Sequence, residues 1–131
     1  MILYTTFDKE RLLDIARNAD NKQIVKDVNY AAFLLFHGAK NMYCEWFESA
    51  FIIGQWQKNC FRVIGLCTRS DVRGKGYAKF LLARAENAAK ERGISLIRTV
   101  SFSGADFYVK HGYDVVGKKH GDYVLEKIIV K

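Results

Sequence analysis

The chain has 131 residues, half of them apolar and 27% charged, which fits one domain with its own core and argues against a disordered chain. The longest unbroken apolar run, Tyr30–Phe36, is seven residues, far short of the ~20 that a membrane helix needs. The net charge of +7 is uneven: residues 1–65 carry 8 Lys and Arg against 7 Asp and Glu, and residues 66–131 carry 13 against 7.

At the amino end, Met1 to Asp8 has neither a basic region nor a long apolar stretch, so no secretory signal is read there. Asp8–Ala19 predicts a helix: Asp8 is a suitable N-cap, and Leu12, Leu13, Ile15, Ala16 and Ala19 keep helical spacing. Asn21–Val28 predicts a second, shorter helix. From residue 30 the texture turns aromatic and β-branched. Ala31–His37, Met42–Phe47, Phe51–Trp56 and Cys60–Thr68 are predicted strands, with 42–56 readable as one bent strand or two. The aromatics Tyr43, Trp46, Phe47, Phe51 and Trp56 have two readings, core packing or an exposed ridge for the partner of a homodimer or for the acceptor. Cys44, Cys60 and Cys67 are odd in number and form no CxxC pair. They are expected to be buried thiols of a cytoplasmic protein, with neither a disulfide framework nor a metal site.

Gly76–Arg92 is the clearest helix, with Ala78, Leu81, Leu82, Ala85, Ala88 and Ala89 on one face, Lys90 and Arg92 in the last turn and Gly93 as a left-handed stop. Ile94–Val100 predicts a strand and Ser103–His111 a short helix stopped by Gly112. Tyr113–Gly117 and Tyr123–Val130 then form a hairpin. The order gives one mixed α/β domain over residues 1–131, with an antiparallel meander and a parallel pair where the long helix crosses over.

Ser70 to Ala78 joins a strand to that helix. It supplies unpaired amides, two glycines, a helix N-terminus and the cations Arg73 and Lys75, which together suit a diphosphate. It is not a Walker loop, because Arg69 stands where the first glycine belongs and Gly76 where Ser or Thr would follow Lys75. It is not a dinucleotide fingerprint either, because Lys79 occupies the third glycine position.

Arg73-x-x-Gly76-x-Ala78 resembles the Arg/Gln-x-x-Gly-x-Gly/Ala signature of the GNAT N-acetyltransferase superfamily. Ser101-x-x-Gly104-x-x-Phe107-Tyr108-x-Lys110-x-Gly112-Tyr113 keeps the spacing of a second family motif, with Ser for Asn and Gly for Ala. The likeness covers residues 60–130. It implies a GNAT fold: a mixed, mostly antiparallel sheet of six or seven strands, a parallel pair at the cofactor cleft and helices on both faces. It further implies an acetyl-CoA-dependent N-acetyltransferase that needs no metal. Arg73, Gly74, Lys75, Gly76, Tyr77 and Ala78 would hold the pyrophosphate, and the backbone of Leu66, Cys67 and Thr68 the pantetheine arm. Ser101 and Gly104 would lie beside that arm, with Lys110 and Lys79 near the phosphates. Tyr108 would protonate the departing thiolate.

For the general base the sequence offers Glu45, Glu48, His37 and His111. Glu48 is the first choice, because residues 42–56 should border the acceptor. A bound water is the alternative. The basic excess leaves the acceptor open between a small amine, a protein or ribosomal amine and an aminoacyl amine linked to RNA, with no membrane partner. The rival reading is a non-catalytic GNAT-fold protein that binds CoA or associates with RNA.

Overall fold

The computed structural model describes residues 1–19, 21–101 and 104–129. Helix α1 (Lys9–Arg17) starts where expected, with the Asp8 carboxylate accepting from the Arg11 amide at 3.2 Å. Helix α2 spans Lys22–Phe36 and is capped by the Asn21 side chain, which accepts from the Gln23 amide at 2.9 Å. This corrects the strand expected at 31–37. A short apolar run has no period of its own, and tertiary packing decides it. Here Ile24, Val28 and Ala31 continue one stripe against the sheet, while Phe33 and Phe36 face out.

Strands β1 (Met42–Phe47) and β2 (Ala50–Trp56) form a hairpin turning at Glu48 and Ser49, so 42–56 is two strands. Trp46, Phe47, Phe51 and Trp56 are buried and Tyr43 packs against the core, which settles these aromatics as packing rather than a ridge. Strand β3 (Phe61–Thr68) pairs with β2 and leads through a short 3-10 turn to α3 (Tyr77–Glu91). Strand β4 (Leu96–Ser101), helix α4 (Ala105–Lys110), β5 (Asp114–Lys119) and β6 (Asp122–Ile128) follow. The expected bounds at Ser103 and Val130 lie outside the described residues. The last hairpin turns on His120 and Gly121, both at positive φ (51° and 86°), as a tight type I′ connection requires.

The sheet is six-stranded in the order β1-β2-β3-β4-β6-β5, antiparallel except for β3 beside β4. One core lies under α3 and α4 and includes Phe61, Leu81, Ile97, Tyr113 and Leu125. The other lies under α1 and α2 and includes Leu12, Val28, Phe51 and Ile53. Helices thus cover both faces, as the sequence predicts. No described helix is long and apolar enough to cross a membrane.

Two features open the middle of this sheet. The parallel pairing of β3 and β4 runs Phe61–Ile97, Arg62–Arg98 and Val63–Thr99, and then stops. In the pairing of β2 with β3, Ile53 faces Gly65 while Gly54 faces Val63, so Ile64 is an extra residue. This bulge turns the second half of β3. Val63 packs in the core under α3, whereas Ile64 and Cys67 join the core under α2.

Candidate active site

Beyond the last β3–β4 pair the strands diverge, and a cavity of about 600 Å³ fills the gap. One wall is the β3 backbone from Ile64 to Thr68, whose edge toward β4 is free of the ladder. The opposite wall is Thr99, Val100 and Ser101 of β4, with Gly104, Phe107, Tyr108 and His111 around α4.

The glycine loop closes one end. Gly74 and Gly76 sit at φ +83° and +81°, a region that favours glycine, and a Cβ on either would meet nothing within 4 Å. The loop backbone is therefore bare toward open space. Gly76 is the N-cap of α3 with no side-chain cap. The helical ladder begins only with the Phe80 amide on the Gly76 carbonyl at 2.9 Å, so the preceding amides remain outside it. Arg73 lines the cavity while its guanidinium donates to the Ala19 carbonyl at 2.5 Å, which ties the loop to the end of α1. Tyr77, Ala78 and Lys79 also line the cavity. Lys75 and Lys110 are exposed and outside that lining.

Tyr108 is only 6% exposed, and burial pushes its phenol up to about 12, an effect partly offset by the neighbouring Thr99 side chain. The sequence alone gives an ordinary phenol near ~10. Ser101 accepts from the Gly104 amide at 2.8 Å, pinning the entry to α4. The Cys67 thiol is pushed up to about 12 by burial, so at neutral pH it is protonated and not nucleophilic.

The candidate bases read from sequence lie mostly elsewhere. Glu48 is exposed in the β1–β2 turn and His37 ends α2 against Phe33, both outside the cavity lining. Glu45 is buried and committed: Arg84 donates to its two oxygens at 2.9 and 2.8 Å, and the Tyr43 hydroxyl donates at 2.7 Å. His111 does reach the lining, with Nδ1 2.7 Å from the Phe107 carbonyl.

Among the described residues, the carboxylate that lines the cavity is Asp27 of α2, which sequence reasoning missed. It stands over Gly65, where a Cβ would lie 3.4 Å from the Asp27 Cβ. Gln23 donates to its Oδ1 at 3.2 Å, but burial prevails and raises it to about 6, with the Asp122 charge adding to the rise. A legible signal existed, because Asp27 lies on the helical stripe of Ile24, Val28 and Ala31, where an acid is out of pattern. An ionised carboxylate on one side and a protonated phenol on the other are groups able to accept and to donate a proton at neutral pH.

The acetyltransferase (GNAT) domain family model matches residues 20–115. No curated protein matches the sequence. Among solved structures, the PaiA N-acetyltransferase from Thermoplasma acidophilum in complex with coenzyme A is similar at a TM-score of 0.73 and 19% identity, covering 98% of this chain and 99% of that one. The aminoglycoside 6'-N-acetyltransferase from Enterococcus faecium matches at 0.75 and 17% identity, covering 100% and 98%. A GNAT-family N-acetyltransferase (YhbS) from Escherichia coli in complex with CoA matches at 0.77 and 11% identity, covering 98% and 81%. At these identities the structures speak for the fold, and the family match, which spans most of the chain, speaks for descent: the chain belongs to the GNAT acetyltransferase family.

Proposed function

We propose that the chain is an acetyl-CoA-dependent N-acetyltransferase that moves the acetyl group directly from the thioester to an acceptor amine. The observation that carries this reading is the splayed end of β3 and β4 running into a bare glycine loop, with Asp27 and Tyr108 both on its walls. The residues present fit coenzyme A. A diphosphate suits the amides from Gly74 to Ala78 with the Arg73 and Lys79 cations, and an amide-bearing arm suits the free edge of Leu66, Cys67 and Thr68. Complexes of similar structures with coenzyme A support this placement. When bound, acetyl-CoA supplies the activated acetyl thioester.

The chain's own residues then have distinct tasks. A β3 amide facing the thioester oxygen stabilises the charge that develops there. Tyr108, protonated at every pH below about 12, donates to the departing sulfur. The hydroxyl passes its proton to sulfur as the carbon–sulfur bond breaks, and a proton from the amine replaces it on the phenol. Cys67 takes no acetyl group, because its thiol is protonated.

The test joins binding, transfer and mass. Acetyl-CoA should bind saturably by calorimetry, and Gly76→Val, confirmed folded, should weaken it at least ~10-fold by blocking backbone approach. Thiol release should depend on an added amine, and intact mass without an amine should show no acetyl adduct on Cys67. Unchanged affinity in Gly76→Val would move the pyrophosphate elsewhere. A stoichiometric adduct would overturn direct transfer, and binding without amine-dependent release would leave a binding protein.

A further inference from the structure

A second groove, of about 730 Å³, meets the first cavity at Gln23, Asp27, Ile64 and Val100, which line both. Its other walls are the first half of β3, Tyr30 of α2 and the β5–β6 hairpin. Asp27 thus stands at a junction, with the glycine loop and Tyr108 on one side and this groove on the other. We propose that the acceptor enters through this groove, that its amine is received and deprotonated by Asp27, and that the groove selects amines which also carry a carboxylate or phosphate; this rests on the acetyltransferase reading above.

Charge in the groove argues for the acidic group. Arg98 is neutralised by an ion pair with Glu126, its Nε 2.6 Å from Oε2. Arg62, Lys118 and Lys119 have no carboxylate within 4.0 Å among the described residues. Arg62 is also held ready: it donates to the Tyr30 hydroxyl at 3.0 Å and lies 5.3 Å from that ring's centre. A fixed planar fork without an acid is suited to a carboxylate or phosphate. A polycationic acceptor would meet these three cations as well as the carboxylates of Asp27 and Asp122, whereas an acidic group is matched by the cations around Arg62.

Asp27 shares the groove walls with Arg62, Lys118, Lys119, His120, Asp122 and the Arg98–Glu126 pair, and the cofactor cavity with Arg73, Lys79, Cys67, Tyr108 and His111. Asp122 raises Asp27, and the charge of Asp27 in turn adds to the rise on Tyr108 and Cys67. In the transfer, the ammonium gives one proton to Asp27, the freed nitrogen forms the bond to the acetyl carbon, and the carbon–sulfur bond breaks. The nitrogen's second proton replaces the one that sulfur takes from Tyr108. The products are the amide and the free thiol, with the proton on Asp27 returned to water.

O-Phosphoethanolamine against ethanolamine, and β-alanine against β-alaninamide, are matched probes, with spermidine as a polycation. With acetyl-CoA, each acidic member should show kcat/KM at least ~10-fold above its neutral partner, the scale of one charge-assisted contact. Arg62→Gln should erase that preference. Asp27→Asn should lower kcat ~10²-fold or more for every amine, remove the acid limb near pH 6 from the profile and leave acetyl-CoA affinity intact. Independently of turnover, O-phosphoethanolamine should bind the protein without cofactor in a calorimeter, and this binding should be lost in Arg62→Gln but kept in Arg73→Gln. Equal use of neutral amines or spermidine, or probe binding that depends on Arg73 instead, would overturn the groove assignment. Full activity in Asp27→Asn would overturn the base. A protein that binds the probe through Arg62 yet binds no acetyl-CoA would refute the acetyltransferase reading and not the acidic-ligand groove.

Discussion

A phenol with 6% exposure keeps its proton far beyond neutrality, and a carboxylate drawn into the same cleft loses its proton only near pH 6. Burial disfavours the charged form of each, so at pH 7 the phenol keeps its proton while the carboxylate is mostly ionised. Tyr108→Phe removes only the hydroxyl, so the ring packing and acetyl-CoA binding should survive. Its kcat should fall by ~10²–10⁴ with the KM for acetyl-CoA little changed, and steady-state kinetics on a working amine checks this. Asp27 also leaves a mark on stability. Folding raises its pKa from 3.8 to about 6, so its contribution is fully present below about pH 4 and is lost as pH rises through 6. Asp27→Asn should therefore gain on the native protein between pH 4 and 6 and be at least as stable at pH 7. Urea midpoints across that range read the difference.

At the scale of elements, the cleft depends on how β3 is held on its other side. Gly54 of β2 sits beside the bulge, where a Cβ would come 2.1 Å from the Phe61 ring and 2.9 Å from the Arg62 carbonyl. Phe61 is fully buried and Arg62 shapes the second groove, so neither can move freely. Gly54→Ala should cost ~1–3 kcal/mol or more by overpacking, seen as a lower urea midpoint at unchanged m-value. Glu45 has a structural role that its sequence position disguises, since its bidentate pair with Arg84 ties β1 to α3, the helix whose first turn carries the glycine loop.

Across the whole molecule, the two cores on opposite faces of the sheet leave their gap between β3 and β4, and both proposed ligand routes use it. A ligand that binds only the folded chain stabilises it by mass action. At about 100 times its Kd, acetyl-CoA should add about 2.7 kcal/mol. That raises the midpoint by roughly 10 °C for a domain of this length. Thermal scans with and without acetyl-CoA check this, and Gly76→Val should reduce the shift.

Much of this molecule is legible in short stretches of its sequence. Asp8 as a cap, the apolar face and the glycine stop of α3, and the glycine loop ahead of it are written in neighbouring residues, because capping, helical period and positive φ are short-range matters. The loop and its downstream motif are enough to point to the family. The run at 31–37 is not legible, because seven apolar residues suit a strand or a helix alike, and α2 becomes one helix only through its stripe on the sheet. Nor is Asp27. Its meaning depends on Tyr108, on another helix far along the chain, and on a strand bulge that turns β3 toward α2. Local sequence thus dictates most of the elements and the glycine loop. Which carboxylate faces the cleft, and which is locked in an ion pair, is settled by tertiary packing, because burial and proximity arise between segments that no local pattern relates.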